Sequence, residues 1–373
     1  MTKNKFKKIL LVQLFSNGDC LYATAIARQI KSDSPGCKLT WAIAGFCKNI
    51  ISNNPYVDHI ILIEEVKKDD VAAFRLYKKK ILAEKKVGIW DEVFVISNMD
   101  TNLAYYDGTI RGMILRAYAN RMTVPLQPVV QLIENEINNV ADFSKQHKLA
   151  SFQHVILWEY APQSGQSLLN FEMVMSTARR LVLLPSVCVI LSSANKFEGT
   201  ENIIDASTLS IRENAALTHY CNLLIGCSSG ITWLTTSSAA KFLPMVQLLN
   251  AETIFVNTPS VDFNRYNIQH SGLIEMHRFN EEKIYECVSG IITEGFSAAK
   301  KYNQEIPLQF KTTTTIVYNL LVYREFAAIK KHFKVMISQY GMNSAFLKAF
   351  FKGFAIFPFK LSRNIYLKKL KKR

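Results

Sequence analysis

Three short segments of this chain combine small, polar and acidic residues in patterns that could do chemistry. The first is Ser16-Asn17-Gly18-Asp19-Cys20. An aspartate there can take a proton from an alcohol, while Gly18 lets a backbone approach closely and the helix N-terminus favours an anion or an electron-rich oxygen. Capping the helix is the commoner job of an aspartate at such a place. The second segment runs from Asn222 to Ala239. A buried strand ends at Gly226, and Ser228, Ser229, Gly230 and Thr232 offer hydroxyls and N–H groups at the mouth of the next helix. Such a nest suits a pyrophosphate, and a serine-rich N-cap is its local alternative. The third is Gln163-Ser164-Gly165-Gln166-Ser167, a loop that can wrap phosphates or serve as an ordinary polar turn. Familiar alternatives are missing: the seven histidines form no HExxH pair, and there is no GxSxG or P-loop pattern. Asp69-Asp70 reads as the solvated start of a charged helix. The cysteines at 20, 37, 47, 188, 221, 227 and 287 include no CxxC, so they are expected to be reduced, mostly buried thiols, and no metal site is expected.

The elements that must position these loops alternate. KILLVQLF at 8–15 is an apolar run, followed by the first loop and a helical pattern through Leu21, Ala25, Ile26 and Ile30. KLTWAIAG at 38–45, HIILI at 59–63 and DEVFVIS at 91–97 continue as strands, with a lysine-rich helix over 69–86. Prolines near 124–128 and a polar helix over 134–148 interrupt the pattern before HVILWEY at 154–160, which places a boundary near 150. Strands at 187–193, 222–226 and 244–249, with helices at 170–183, 210–221 and 231–239, repeat the design. The fold class is therefore α/β: two Rossmann-like, doubly wound domains with parallel sheets. Their ligands belong beyond the carboxyl ends of the strands, so the loops at 16–20, 160–168 and 226–232 should converge on one interdomain cleft.

A length of 373 residues suits two such domains, and an apolar fraction of 49% excludes a disordered chain. The opening charged residues precede a run broken by Gln13, which is expected to be a buried strand and not a signal peptide. No apolar stretch is long enough to span a bilayer, and the working place is expected to be cytoplasmic. The net charge of +15 is uneven: from Phe326 to Arg373 there are twelve Lys or Arg and no acid. A helix is expected from Asn343-Ser344 to Pro358, with Phe346, Phe350, Phe354 and Phe357 on one face and Lys348 and Lys352 on another. Core packing is the commoner fate of an aromatic stripe, yet the cationic flanks point to attachment of 340–373 to an anionic membrane surface. Nucleic-acid binding through the same tail is the rival reading, and no nucleic-acid partner is expected.

Three stretches resemble the heptosyltransferase-like glycosyltransferases, family 9, in order and spacing. They are KILLVQLFSNGDCLYATAIARQIK, KLTWAIAGFCKNIISNNPYVDHIILI and NLLIGCSSGITWLTTSSA, and the resemblance spans residues 7–250. It implies a GT-B fold, in which 1–150 is an acceptor-binding domain, 151–305 binds a nucleotide-sugar, and 306–373 holds a crossover helix and the basic tail. It also implies inverting transfer from a nucleotide-sugar to a glycan or lipid-linked acceptor of lipopolysaccharide type, with no catalytic metal, no cofactor beyond that co-substrate, and Asp19 as the base. The chain departs from the family pattern at Ser228-Ser229-Gly230 and Trp233, where the family has Asp-Ser/Thr-Gly and a histidine, and it lacks the lysine of the loop at 163–167. Phosphate binding then rests on Ser229, Gly230, Gln166 and backbone groups. A GT-B shell that binds ligands without turnover is the alternative function.

Overall fold

The computed structural model describes residues 6–161, 165–253, 258–268, 270–306 and 308–370, with side chains as far as 358. Gln163 and Ser164 lie outside the described residues. Two parallel sheets organise the chain. The first holds β1 (Lys8–Val12), β2 (Lys38–Ile43), β3 (His59–Leu62) and β4 (Glu92–Val95) in the order β3-β2-β1-β4. The second holds β5 (His154–Glu159), β6 (Val187–Ser192), β7 (Ile203–Asp205), β8 (Leu223–Gly226), β9 (Met245–Leu248) and β10 (Leu273–Met276) in the order β10-β9-β8-β5-β6-β7. Helices cover both faces of such sheets, so the central strands β1, β5 and β8 are apolar and buried over 9–12, 155–158 and 223–225.

Helices follow most strands: α1 (Asn17–Asp33), α2 (Lys48–Ile51), α3 (Val71–Lys86), α4 (Ile110–Ala117), α5 (Glu134–Gln146), α6 (Phe171–Leu181), α7 (Glu213–Leu217), α8 (Gly230–Leu234), α9 (Pro259–Tyr266), α10 (Glu281–Glu294) and α11 (Phe296–Ala299). Helix α1 is buried almost all round, including Thr24 and Gln29, because it lies between the two lobes and packs on both α4 and α8. Buried ion pairs join the lobes on either side of it. Arg212 reaches the carbonyls of Asn49 and Ser52 as well as Glu136, and Asp107 takes both Arg116 and Arg265.

Three helices close the chain: α12 (Lys311–Val322), α13 (Phe326–Tyr340) and α14 (Ser344–Leu370). The crossover helix expected within 306–373 has its counterpart in α12 and α13, which return to the first lobe, where α13 packs on the turn Asp100–Tyr105 and Glu325 pairs with Arg75 at 3.0 Å. Two expectations for the tail are corrected. The helix does not stop at Pro358 but runs on to Leu370, since one proline removes a single helical hydrogen bond and can be carried as a kink. The aromatic stripe is also largely spent on the protein. Phe346 and Phe350 are buried against Phe310 and Phe333, and Phe357 packs on Tyr318 of α12. Gly353 permits this crossing, because a Cβ there would stand 2.6 Å from Val317 Cβ. The outward face instead carries Lys348, Phe351 and Lys352, with Phe354 at its margin.

Candidate active site

In the first sheet the connections diverge between β1 and β4, and ligands of open parallel sheets sit at such a switch point. Asp19 stands there, in the first turn of α1, with 8% of its surface exposed. From the end of β4, Asn98 donates through Nδ2 to Asp19 Oδ2 at 2.8 Å. Burial pushes the Asp19 carboxyl up to about 7, against a smaller downward pull from the charge of Lys68. A carboxylate titrating near neutrality, with one oxygen oriented by an amide, has the properties of a general base. Asn98 and Lys68 were missed in the sequence. The strand-order rule points to the loop after β4, but only once β4 is known to neighbour β1.

The second sheet approaches this point through α8. Asn17 and Gly18 are half-buried against Gly230, where an added Cβ would lie 3.1 Å from Asn17 Cβ and 3.7 Å from Gly18 N. The side chain that Gly230 lacks is thus what lets the lobes meet beside Asp19. Ser229 and Gly230 are partly exposed, whereas Ser228, with φ 55°, is buried and donates its N–H to Gln247 Oε1 at 2.9 Å.

The expected role of Thr232 is corrected by Glu159, at the end of β5. The Thr232 hydroxyl and N–H both donate to Glu159 Oε2, at 2.7 and 3.2 Å, and Cys227 donates to the same carboxyl group. Burial raises the Glu159 pKa despite these bonds. The head of α8 is therefore occupied by the protein's own carboxyl group, leaving Ser229 and Gly230 as the part of the nest that faces outward. Trp233, the position where a histidine was expected from the resemblance, is a core residue: it packs edge-on to Tyr22 and Phe263 and lies 5.1 Å from the Arg111 guanidinium.

The loop after β5 is fastened to the loop after β9. The Gly165 carbonyl accepts from Thr253 Oγ1 at 2.6 Å, the Gln166 carbonyl accepts from Asn250 N at 2.7 Å, and Ser167 Oγ accepts from Leu169 N at 3.3 Å. Its hydroxyl side borders a 200 Å³ depression lined by Tyr160, Ser167, Asn170, Phe171 and Asn195. Phe171 also lines a neighbouring hollow of 340 Å³ with Phe197 and Arg179. Among the described residues no group of three or more His, Cys, Asp or Glu could hold a metal ion.

No protein-family profile matches the chain, and no curated protein matches it. Solved structures do. A glycosyl transferase of family 9 from Veillonella parvula DSM 2008 superposes with a TM-score of 0.54 at 15% identity, over 90% of this chain and 99% of that one. The E. coli ADP-heptose lps heptosyltransferase II gives 0.50 at 15% identity, over 77% of this chain and 99% of its own. The fold is GT-B, similar to that of the heptosyltransferase-like family 9 enzymes. Within a GT-B shell, the Asp19 loop lies on the N-terminal lobe, and the loops 165–167 and 228–230 lie on the C-terminal lobe that faces it.

Proposed function

We propose that this chain is an inverting, metal-independent glycosyltransferase that moves a sugar from a nucleotide-sugar donor to a hydroxyl of a cell-surface glycan or lipid-linked acceptor of lipopolysaccharide type. One observation carries the reading: a buried carboxyl group with a pKa of about 7 sits at the switch point of one lobe, held by Asn98 and directly following the Asn17-Gly18 step that meets Gly230 of the other lobe. Its support in known folds is the likeness to a family 9 transferase and to a lipopolysaccharide heptosyltransferase. In the reaction, Asp19 takes the proton of the acceptor hydroxyl as that oxygen forms its bond to the anomeric carbon. The bond from that carbon to the donor's phosphate breaks on the opposite face, and its electron pair leaves with the nucleoside diphosphate. N–H groups and hydroxyls at Ser229, Gly230 and the loop 165–167 stabilise the departing charge. The chain works at the inner face of the cell membrane, to which Lys348, Phe351 and Lys352 of α14 and the cations beyond them attract it.

Titrating the protein calorimetrically with ADP-, GDP-, UDP- and CMP-sugars, with and without chelator, tests the donor half. Saturable binding of one class that survives chelation is expected. Asp19→Asn should keep that binding and lose transfer by about 100-fold or more; unchanged transfer removes Asp19 as base. Glu159 favours a second reading, a GT-B shell that binds without turnover, because it takes N–H groups that a donor phosphate would need. Nucleotide binding without turnover in the presence of candidate acceptors supports that second reading.

A further inference from the structure

The two lobes share one apolar core and one set of buried charges. Trp233 of α8 is buried and reaches into the first lobe, edge-on to the Tyr22 ring of α1 with centroids 5.1 Å apart, and 3.4 Å from the place a Cβ on Gly18 would take. Tyr22 and Met113 of the first lobe and Leu217 and Phe263 of the second belong to the same apolar cluster. Beside this wedge, buried Arg111 of α4 meets buried Asp262 of α9 at 3.2 Å, and Asp107, fully buried, accepts from Arg265 of α9. On the flank of α1 that α2 covers, buried Arg212 of the second lobe donates to the Ser52 carbonyl at 2.7 Å. Both α2 and α4 pack on α1, so a rotation that opens the lobes must part the wedge and at least one of these sets of bonds. Opening would bring water onto apolar surface and separate charges that are now paired out of solvent, and each of these opposes it.

We propose that the lobes form one rigid body, with Trp233 as its wedge and the pairs Arg111–Asp262 and Asp107–Arg265 as its clamps. Ligands then reach Asp19 through a cleft that is already set, and no closure of one lobe on the other follows binding. Asp19 stands in place before any ligand arrives, and no binding energy is spent on ordering the lobes. This inference goes beyond the glycosyltransferase reading and does not depend on it, because the lock belongs to the ligand-free chain.

Pulsed electron resonance between spin labels attached at Lys80→Cys of α3 and Lys283→Cys of α10 tests it in the full chain. Both positions are exposed, and the seven native cysteines are buried away from the label. One distance peak is expected without ligand, and its mean should move by less than about 2 Å with ADP-, GDP-, UDP- or CMP-sugars. Trp233→Ala and, separately, the milder Arg265→Gln should broaden that peak or add a second one in protein whose circular dichroism stays native. Two separated peaks in the doubly labelled chain, a larger shift with any nucleotide-sugar, or a peak that Arg265→Gln and Trp233→Ala both leave unchanged overturns the proposal. Absence of all nucleotide binding defeats the transferase reading instead, while the ligand-free peak and its response to the variants still decide the lock, and the two failures are thereby told apart.

Discussion

Replacing Asp19 by Asn should stabilise the protein, and the gain should depend on pH in a defined way. The carboxyl titrates at 3.8 in an ordinary setting and at about 7 in the folded chain, because burial strips water from the charged form. The folded state thus holds its proton more tightly than the unfolded state does. A raised carboxyl pKa contributes stability that is fully present below the unfolded value and is lost as pH rises through the folded one. At pH 5 part of that loss has occurred, and at pH 8 all of it has. Between those two values the neutral amide should gain about 2.7 kcal/mol over the native residue, at about 1.36 kcal/mol for each of two further pH units. Asparagine keeps the shape and can still accept from Asn98 Nδ2, so no cavity or orphaned donor should offset the gain. Urea unfolding of both proteins at pH 5 and pH 8 measures it as a difference of differences, which cancels every other titrating group. A variant that is destabilised at pH 8, or whose advantage is the same at both pH values, refutes the assignment of a strained, near-neutral carboxyl group to Asp19. Activity should move the opposite way, with the acid limb of kcat/KM falling below about pH 7 in the native protein.

His332 is buried on α13 with its pKa pushed down to about 4 by loss of solvent, so stability should fall as pH drops from 6.5 through 4, by up to about 3.4 kcal/mol. His332→Leu should flatten that dependence in thermal scans between pH 4.5 and 7. Arg111, 1% exposed, lies 4.5 Å from the Tyr22 ring and 3.2 Å from Asp262, whose carboxyl is raised to about 6 by burial. Arg111→Ala should cost about 3–5 kcal/mol at pH 8, where it strands a buried charge, and visibly less at pH 5, where Asp262 takes a proton; denaturant midpoints at the two pH values check this. Gly353→Leu should drive α14 off α12, raising hydrogen exchange in 344–358 and lowering stability by about 1–3 kcal/mol, while α1 and its neighbours keep their protection.

Much of the architecture was legible along the chain because parallel strands buried on both faces are written as short apolar runs, and those at 8–12, 38–43, 154–159 and 187–192 stand out. The edge strand β7, at three residues, is too short to rise above the surrounding pattern, and the other edge strand β10 was passed over with α4 and α9, although these two helices carry Arg111 and Asp262. Local pattern also named the loops that meet: the Asp19 loop and Ser229-Gly230 are consecutive polar residues at strand ends, which the alternation rule directs to the same side of each sheet.

Partnership between distant residues was decided only in three dimensions. A glutamate closing a strand gives no sign that it will enter the head of a helix more than 70 residues away, yet Glu159 does so and withdraws Thr232 from any ligand. Phe346 and Phe350 have the spacing of a membrane-facing stripe, and Phe333 of α13, with Phe310, claims them for the core instead. Sequence by itself determined eight of the ten strands, which loops carry polar groups, and that the excess charge lies towards the C-terminal end, because these are local matters of hydrophobic period and composition. Tertiary structure decided which of those groups are used up by the protein, and that the Asp19 carboxyl is raised to about 7, because desolvation depends on what the folded chain packs around it.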